Sequence, residues 1–340
     1  MIPIIIYPPT IDWDYLHQRP QQLFRVLSRQ GYICVFCNPN LHGRRPNGIQ
    51  SVSDTLILAN GVDFPTTVAW VRSAYPQSPV VAYFTYPPHV FLIRSIKPDL
   101  ILFDSVDEPT EEFASWEPHY REAVQFADVV TASAKTLVNR ARPYAREDIH
   151  YLPNGCDYEH FQLAQKRQRV DCHPFTGERP IIGYIGALAP WLNRPLINLM
   201  ARSLPDYEFV FIGPMLLQNS ISFTSANVHY LGHKNYADLP RYLSNFSHCL
   251  IPFSISEMTK GADPIKFWEY LASGIPILST PLPELPAGYF TAIREDMFPG
   301  FLPSSDESGR SDRIALAKSN SWTERGRVFS AILSAKLEHG

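Results

Sequence analysis

The chain has 340 residues, enough for two domains of ordinary size, with 45% apolar and 19% charged residues. A net charge of −3 argues against a nucleic-acid partner, and no run of about 18 apolar residues is present to cross a membrane. Five cysteines, an odd number, fit a reduced compartment, so a cytoplasmic location is expected.

The opening Met1-Ile-Pro-Ile-Ile-Ile-Tyr7 is apolar but short. It has no basic leader and no small-residue cleavage site, so it reads as a first strand and not a signal peptide. Short apolar runs follow at 33–37, 55–58, 80–84, 100–103, 129–132 and 149–152, with helical patterns between them. This is the signature of a parallel sheet covered by helices on both faces. Cys34 and Cys37 fall three apart on the second run, where they point to opposite faces; with no second pair they are core residues, and no metal site is expected.

Ligands of open α/β sheets bind beyond the C-terminal ends of the strands. The loop after the first strand carries Trp13 and Arg19, with Pro20 opening a helix. Arg19 is either a ligand-side cation or a solvated residue ahead of that helix. The run ending Phe103-Asp-Ser-Val-Asp-Glu108 places three carboxylates at such an edge; Asp107 is the first candidate for the reaction centre, and Asp104 either faces it too or caps the turn. His89 is read as a loop residue. Arg140, Arg142 and Arg146 form either a solvated face or a peripheral membrane contact.

Asn154-Gly155 is a turn, and the polar stretch 163–179 reads as a linker. The pattern then restarts with Ile181-Ile-Gly-Tyr-Ile-Gly-Ala187, where Gly186 would let a ligand approach the backbone. Asn193 is a cap for the next helix and Arg194 the cation of that loop. Further strands are expected at 208–212, 228–230, 249–251 and 277–278. Between the last two lies a short helix with both ends written in the residues. Asp263 is the expected N-cap and Pro264 the first helical residue, while Gly274 and Pro276 stop it. Lys266 and Glu269 share one face of it, three apart. Read alone, they are a surface ion pair; read with the loop around Lys260 and the positive end of the helix, they suit an anion. The chain closes with an amphipathic helix over 319–340.

The segment Asp263-Pro-Ile-Lys-Phe-Trp-Glu-Tyr-Leu-Ala-Ser-Gly-Ile-Pro-Ile-Leu-Ser-Thr280, with Pro153-Asn-Gly-Cys-Asp157 and Phe161, resembles the donor-binding region of a known family. These are the nucleotide-sugar glycosyltransferases of the retaining, glycogen-synthase-like superfamily, and the resemblance is nearest to bacterial teichuronic-acid and exopolysaccharide types. It implies an α/β chain of the GT-B fold, with two Rossmann-like domains whose parallel sheets face across a cleft. The domains would be 1–162 on the acceptor side and 180–318 on the donor side, joined by the linker 163–179, with 319–340 returning to the first domain.

The resemblance further implies metal-independent transfer of a sugar, with retention, from a UDP- or GDP-type donor to a hydroxyl of a glycan, lipid-linked or small-molecule acceptor. No other cofactor is implied. By position, Glu269 would hold the ribose hydroxyls and Lys266 the diphosphate. Lys260, Arg19, Arg194, Gly186 and the helix start at Asp263 stand on the donor side, and Asp107 on the acceptor side. Two departures bear on activity. The usual glycine-rich loop is absent, and eight positions before Glu269 stands Gly261 where relatives carry a first Glu; Glu257 either fills that role or the contact is missing. A silent sugar-nucleotide-binding subunit, or an epimerase on the same fold, therefore remain as alternatives.

Overall fold

The computed structural model describes residues 2–166, 179–216, 225–301, 304 and 307–339. The chain divides into two units, one of Met1–Asn154 with Trp322–Gly340 and one of Gly155–Ser321.

The first unit is built on eight strands: β1 (Ile4–Tyr7), β2 (Ile33–Asn38), β3 (Gly48–Ser51), β4 (Leu56–Asn60), β5 (Val80–Phe84), β6 (Leu100–Ser105), β7 (Val129–Ala132) and β8 (His150–Tyr151). Their spatial order is β3-β4-β2-β1-β5-β6-β7-β8. Every residue of β1, β4, β5 and β7 is buried, as strands sandwiched between helices must be. The edge strand β3 departs from the expected all-parallel sheet. It runs antiparallel to β4 as a hairpin, and its polar, exposed Gly-Ile-Gln-Ser carries no apolar run to announce it. The strand order reverses between β1 and β5, which marks the crevice where ligands of such sheets bind.

The helix Trp322–His339 belongs to this unit. The Phe329 ring meets Tyr83 edge-on at 5.6 Å, and Ser330 donates to Gln30 at 2.7 Å on the helix Arg19–Arg29.

The second unit carries six parallel strands: β9 (Ile181–Ile185), β10 (Glu208–Ile212), β11 (Val228–Tyr230), β12 (His248–Ile251), β13 (Ile277–Ser279) and β14 (Thr291–Ala292), ordered β11-β10-β9-β12-β13-β14. Here the order reverses between β9 and β12. The chain enters this unit at Gly155, ahead of the expected boundary at 162. Cys156, Phe161 and Ala164 are buried in the second core, so the expected linker begins inside a packed segment. Residues 167–178 of that linker lie outside the described residues.

Candidate functional site

The helix Ile265–Ser273 leads from the β12 side of the reversal point to β13. Gly274 ends it at φ +73°, the left-handed residue that the Gly-Ile-Pro run requires. Its start differs from expectation. Asp263 is not the cap: Pro264 holds an extended conformation and occupies that position, while the Asp263 carboxylate accepts the Trp268 indole N–H at 2.9 Å. A buried indole needs an acceptor, and a carboxylate five residues earlier meets that need.

The helix is buried nearly all round, and Lys266 and Glu269 are not a surface pair. Glu269 is only 7% exposed, and among the described residues nothing donates a hydrogen bond to it. Burial pushes its carboxyl up to about 8, with Lys266 opposing the shift and Asp157 adding to it. Lys266 is half-buried. Burial pushes its ammonium down to about 8, opposed by Glu269.

The surroundings of Lys266 come from the two strands at the reversal point. Its Nζ lies 5.3 Å from the Tyr184 ring centroid on β9 and 5.0 Å from that of Phe253, just beyond β12. The chain paths after β9 and β12 touch through a bridge between Leu192 and Phe253. The space left by the missing side chain of Gly186 houses Lys266. A Cβ there would fall 2.5 Å from Lys266 Cε and 3.1 Å from Nζ. Gly213, at the end of β10, backs this arrangement, because a Cβ on it would overlap the Gly186 carbonyl oxygen. Gly213, Tyr184 and Phe253 all escaped sequence reasoning. The one available signal was that β9 and β10 both end in Ile-Gly, at Ile185-Gly186 and Ile212-Gly213.

The other expected donor-side residues lie in different settings. Asn193 caps its helix through Leu196 N–H at 2.9 Å, and Arg194 beside it is exposed as the first residue of that helix, Arg194–Ser203. Glu257 and Lys260 pair with each other at 2.6 Å, three apart on the short helix Glu257–Lys260, with the Glu257 side chain 74% exposed.

In the first unit Arg19 is buried, not solvated. It is 3% exposed; its Nε and Nη2 donate to the Asp104 carboxylate at 2.6 and 3.0 Å, and its Nη1 donates to Asn154 at 3.1 Å. Asp104 is not a turn cap: it also accepts from Tyr83 at 2.7 Å and Thr131 at 2.6 Å. Asp107, three residues on, is half-buried and has no hydrogen-bond partner among the described residues. Burial pushes its carboxyl up to about 6. At the β1–β5 reversal, His89 Nδ1 lies 3.4 Å from Thr10 Oγ1, and burial pushes the imidazole down to about 4, so it is neutral at pH 7.

The three arginines, read as a solvated face or a membrane contact, differ in setting, and Arg142 and Arg146 are exposed. Arg140 pairs with Glu108 at 2.6 Å and with Glu117, and Arg146 lies over the Phe126 ring. No described helix is long and apolar enough to cross a membrane.

Two Rossmann-like units, each with a strand-order reversal at its centre, define the class: the chain has the GT-B fold. It superposes over its whole length on sucrose-phosphate synthase from Thermosynechococcus elongatus, with TM-score 0.70, 12% identity and 100% of both chains covered. An E. coli structure described as trehalose-6-phosphate bound with UDP-2-fluoro glucose matches at TM-score 0.63 and 9% identity, covering 97% of this chain and 98% of that one. The catalytic domain of starch synthase IV from Arabidopsis thaliana, bound to ADP and acarbose, matches at 0.61 and 10% identity, covering 99% of each chain. At the sequence level the chain is similar to TuaH of Bacillus subtilis (strain 168), a protein provisionally named as a teichuronic acid biosynthesis glycosyltransferase. The two are 30% identical over 168 residues, 47% of this chain and 42% of that protein. The chain thus spans less than half the length of this curated relative. No family model matches the chain.

Proposed function

We propose that the chain is a glycosyltransferase whose second unit binds a nucleoside-diphosphate sugar. The observation that carries this reading is Glu269. A carboxyl group that is 7% exposed with no donor of its own among the described residues is costly to ionise, and a vicinal diol such as a ribose relieves that cost with two O–H donors. Lys266 stands one helical turn earlier, toward the positive end of the same helix, where a diphosphate needs charge. In the transfer step the leaving diphosphate gains negative charge, and an ammonium already in place stabilises it without reorganisation.

The finer reading follows the resemblance. It is transfer with retention, without a metal ion, from a UDP- or GDP-type donor to a hydroxyl of a glycan, lipid-linked or small-molecule acceptor. Cys34 and Cys37 are free buried thiols, which supports a cytoplasmic setting. In the first unit, Asp107 is assigned to the acceptor hydroxyl. It lies two residues beyond β6 and has no hydrogen-bond partner among the described residues, whereas Asp104 and Arg19 are occupied with each other. With Glu257 paired to Lys260, the first Glu of the family pattern has no evident substitute there. That pairing supports the second reading, a silent donor-binding subunit.

Isothermal titration with UDP-, GDP- and ADP-glucose, followed by donor-hydrolysis assays, tests both. Binding that Glu269→Ala abolishes, together with turnover, is expected. Binding without turnover on any of the three donors would favour the subunit. Absence of binding by all three would remove the proposal.

A further inference from the structure

Lys266 is held in an unusual way for a half-buried ammonium. Among the described residues no carboxylate oxygen lies within ion-pair distance of it. Its Nζ rests instead between the rings of Tyr184 at 5.3 Å and Phe253 at 5.0 Å, with its Cε against the bare Cα of Gly186. The two modes of holding a cation differ in what they leave behind. A carboxylate neutralises the ammonium and would have to be displaced by an arriving phosphate. A ring face attracts the cation through its quadrupole and leaves the full unit charge in place.

Both rings are packed in the core of the second unit. Tyr184 is fully buried, and its hydroxyl donates to the Ala187 carbonyl at 2.7 Å. Phe253 is 5% exposed and follows β12 directly. The cradle is therefore made of packed elements on both sides of the strand reversal. An ammonium on a four-carbon stem is otherwise free to sample many rotamers, and ordering it on binding would cost affinity.

We propose that Tyr184 and Phe253 are positioning residues that hold the Lys266 ammonium un-neutralised over Gly186, so that its charge meets the diphosphate of the donor. This rests on the nucleotide-sugar reading of the second unit. Neither aromatic residue touches the ligand in this arrangement; both act through Lys266.

The test separates the diphosphate from the nucleoside. Dissociation constants are measured by calorimetry on the full chain for UDP and uridine, GDP and guanosine, and ADP and adenosine. The quantity of interest is the gain in affinity that the diphosphate confers on the best-bound base. Lys266→Met should abolish most of that gain. Phe253→Leu and Phe253→Met, which keep an apolar filling but remove the ring, should reduce it by about 3- to 30-fold, the equivalent of one cation–π contact. Nucleoside affinity should stay unchanged in both, and Phe253→Tyr should restore the gain.

A full diphosphate gain in either ring-less variant, alongside its loss in Lys266→Met, would overturn the cradle and leave the donor site standing. An equal fall in nucleoside and diphosphate affinity would overturn it too, since that is the mark of a packing defect. If Lys266→Met keeps the full gain, or the wild type binds no nucleotide, the reading of the site itself fails.

Discussion

Arg19 and Asp104 meet in a two-point ion pair, Nε to Oδ2 at 2.6 Å and Nη2 to Oδ1 at 3.0 Å, that ties the first turn of a helix to the end of β6. Both side chains are at most 3% exposed, and Tyr83 and Thr131 donate the remaining hydrogen bonds to the carboxylate. Removing one partner of such a pair strands the other charge in the interior. Arg19→Ala is expected to lower stability by about 3–5 kcal/mol. Urea unfolding followed by tryptophan fluorescence measures this; a loss below about 1 kcal/mol would mean that the pair is solvated.

Glu269 should destabilise the protein it serves. A carboxyl whose pKa is raised from 4.5 to about 8 holds its proton more tightly folded than unfolded. Stability therefore falls as pH climbs through that window. Lys266, lowered from 10.5 to about 8, works in the opposite sense and returns stability between about 8 and 10.5. Glu269→Gln removes the first slope. Its melting temperature relative to wild type should rise steadily from pH 5 to pH 8, while nucleotide affinity falls by about 1.5–3 kcal/mol for the lost charged hydrogen bonds. A constant difference in melting temperature across this range would contradict the buried-carboxyl account.

The two glycines at the strand ends should fail in different ways. Gly186→Ala drives a methyl group into Lys266 Cε, the flexible part of a side chain, at a φ of +154°. Diphosphate binding should weaken more than nucleoside binding. Gly213→Ala meets the Gly186 backbone itself and has no soft neighbour to displace. It should cost about 1–3 kcal/mol of stability or more, seen as a lower unfolding midpoint with or without nucleotide.

On the proposed reading, Asp107 is ionised when it accepts a proton or a hydrogen bond from an acceptor hydroxyl. With its carboxyl pushed up to about 6, transferase turnover should rise between pH 5 and pH 7. Asp107→Asn should remove that limb and lower turnover by about 10²–10⁴-fold, with donor affinity retained. An unchanged pH profile in the variant would move the role elsewhere.

Much was legible in the residues because it depends on neighbours in the chain. Gly274 and Pro276 stop a helix through their own backbone chemistry, and Asn193 caps one three residues away. Runs such as Val80–Phe84 and Val129–Ala132 became strands with the expected ends, since an apolar run flanked by turns has few other uses in an α/β chain. The exposed hairpin strand β3 carried no such run and went unseen.

What tertiary structure alone decided was the state of each charge. Arg19 lies 85 residues from Asp104 and 135 from Asn154, and no local pattern reports a pairing across such spans. Asp263 looked like a helix cap by position, yet a buried indole claimed its carboxylate. Lys266 and Glu269 share a helix face by arithmetic, but the rings and glycine that frame the lysine come from β9, the turn after it and the residues beyond β12, segments far apart in the chain. Helix and strand depend on local torsions and hydrophobic spacing. Whether a charged group is solvated, paired or left waiting depends on which distant segments close over it.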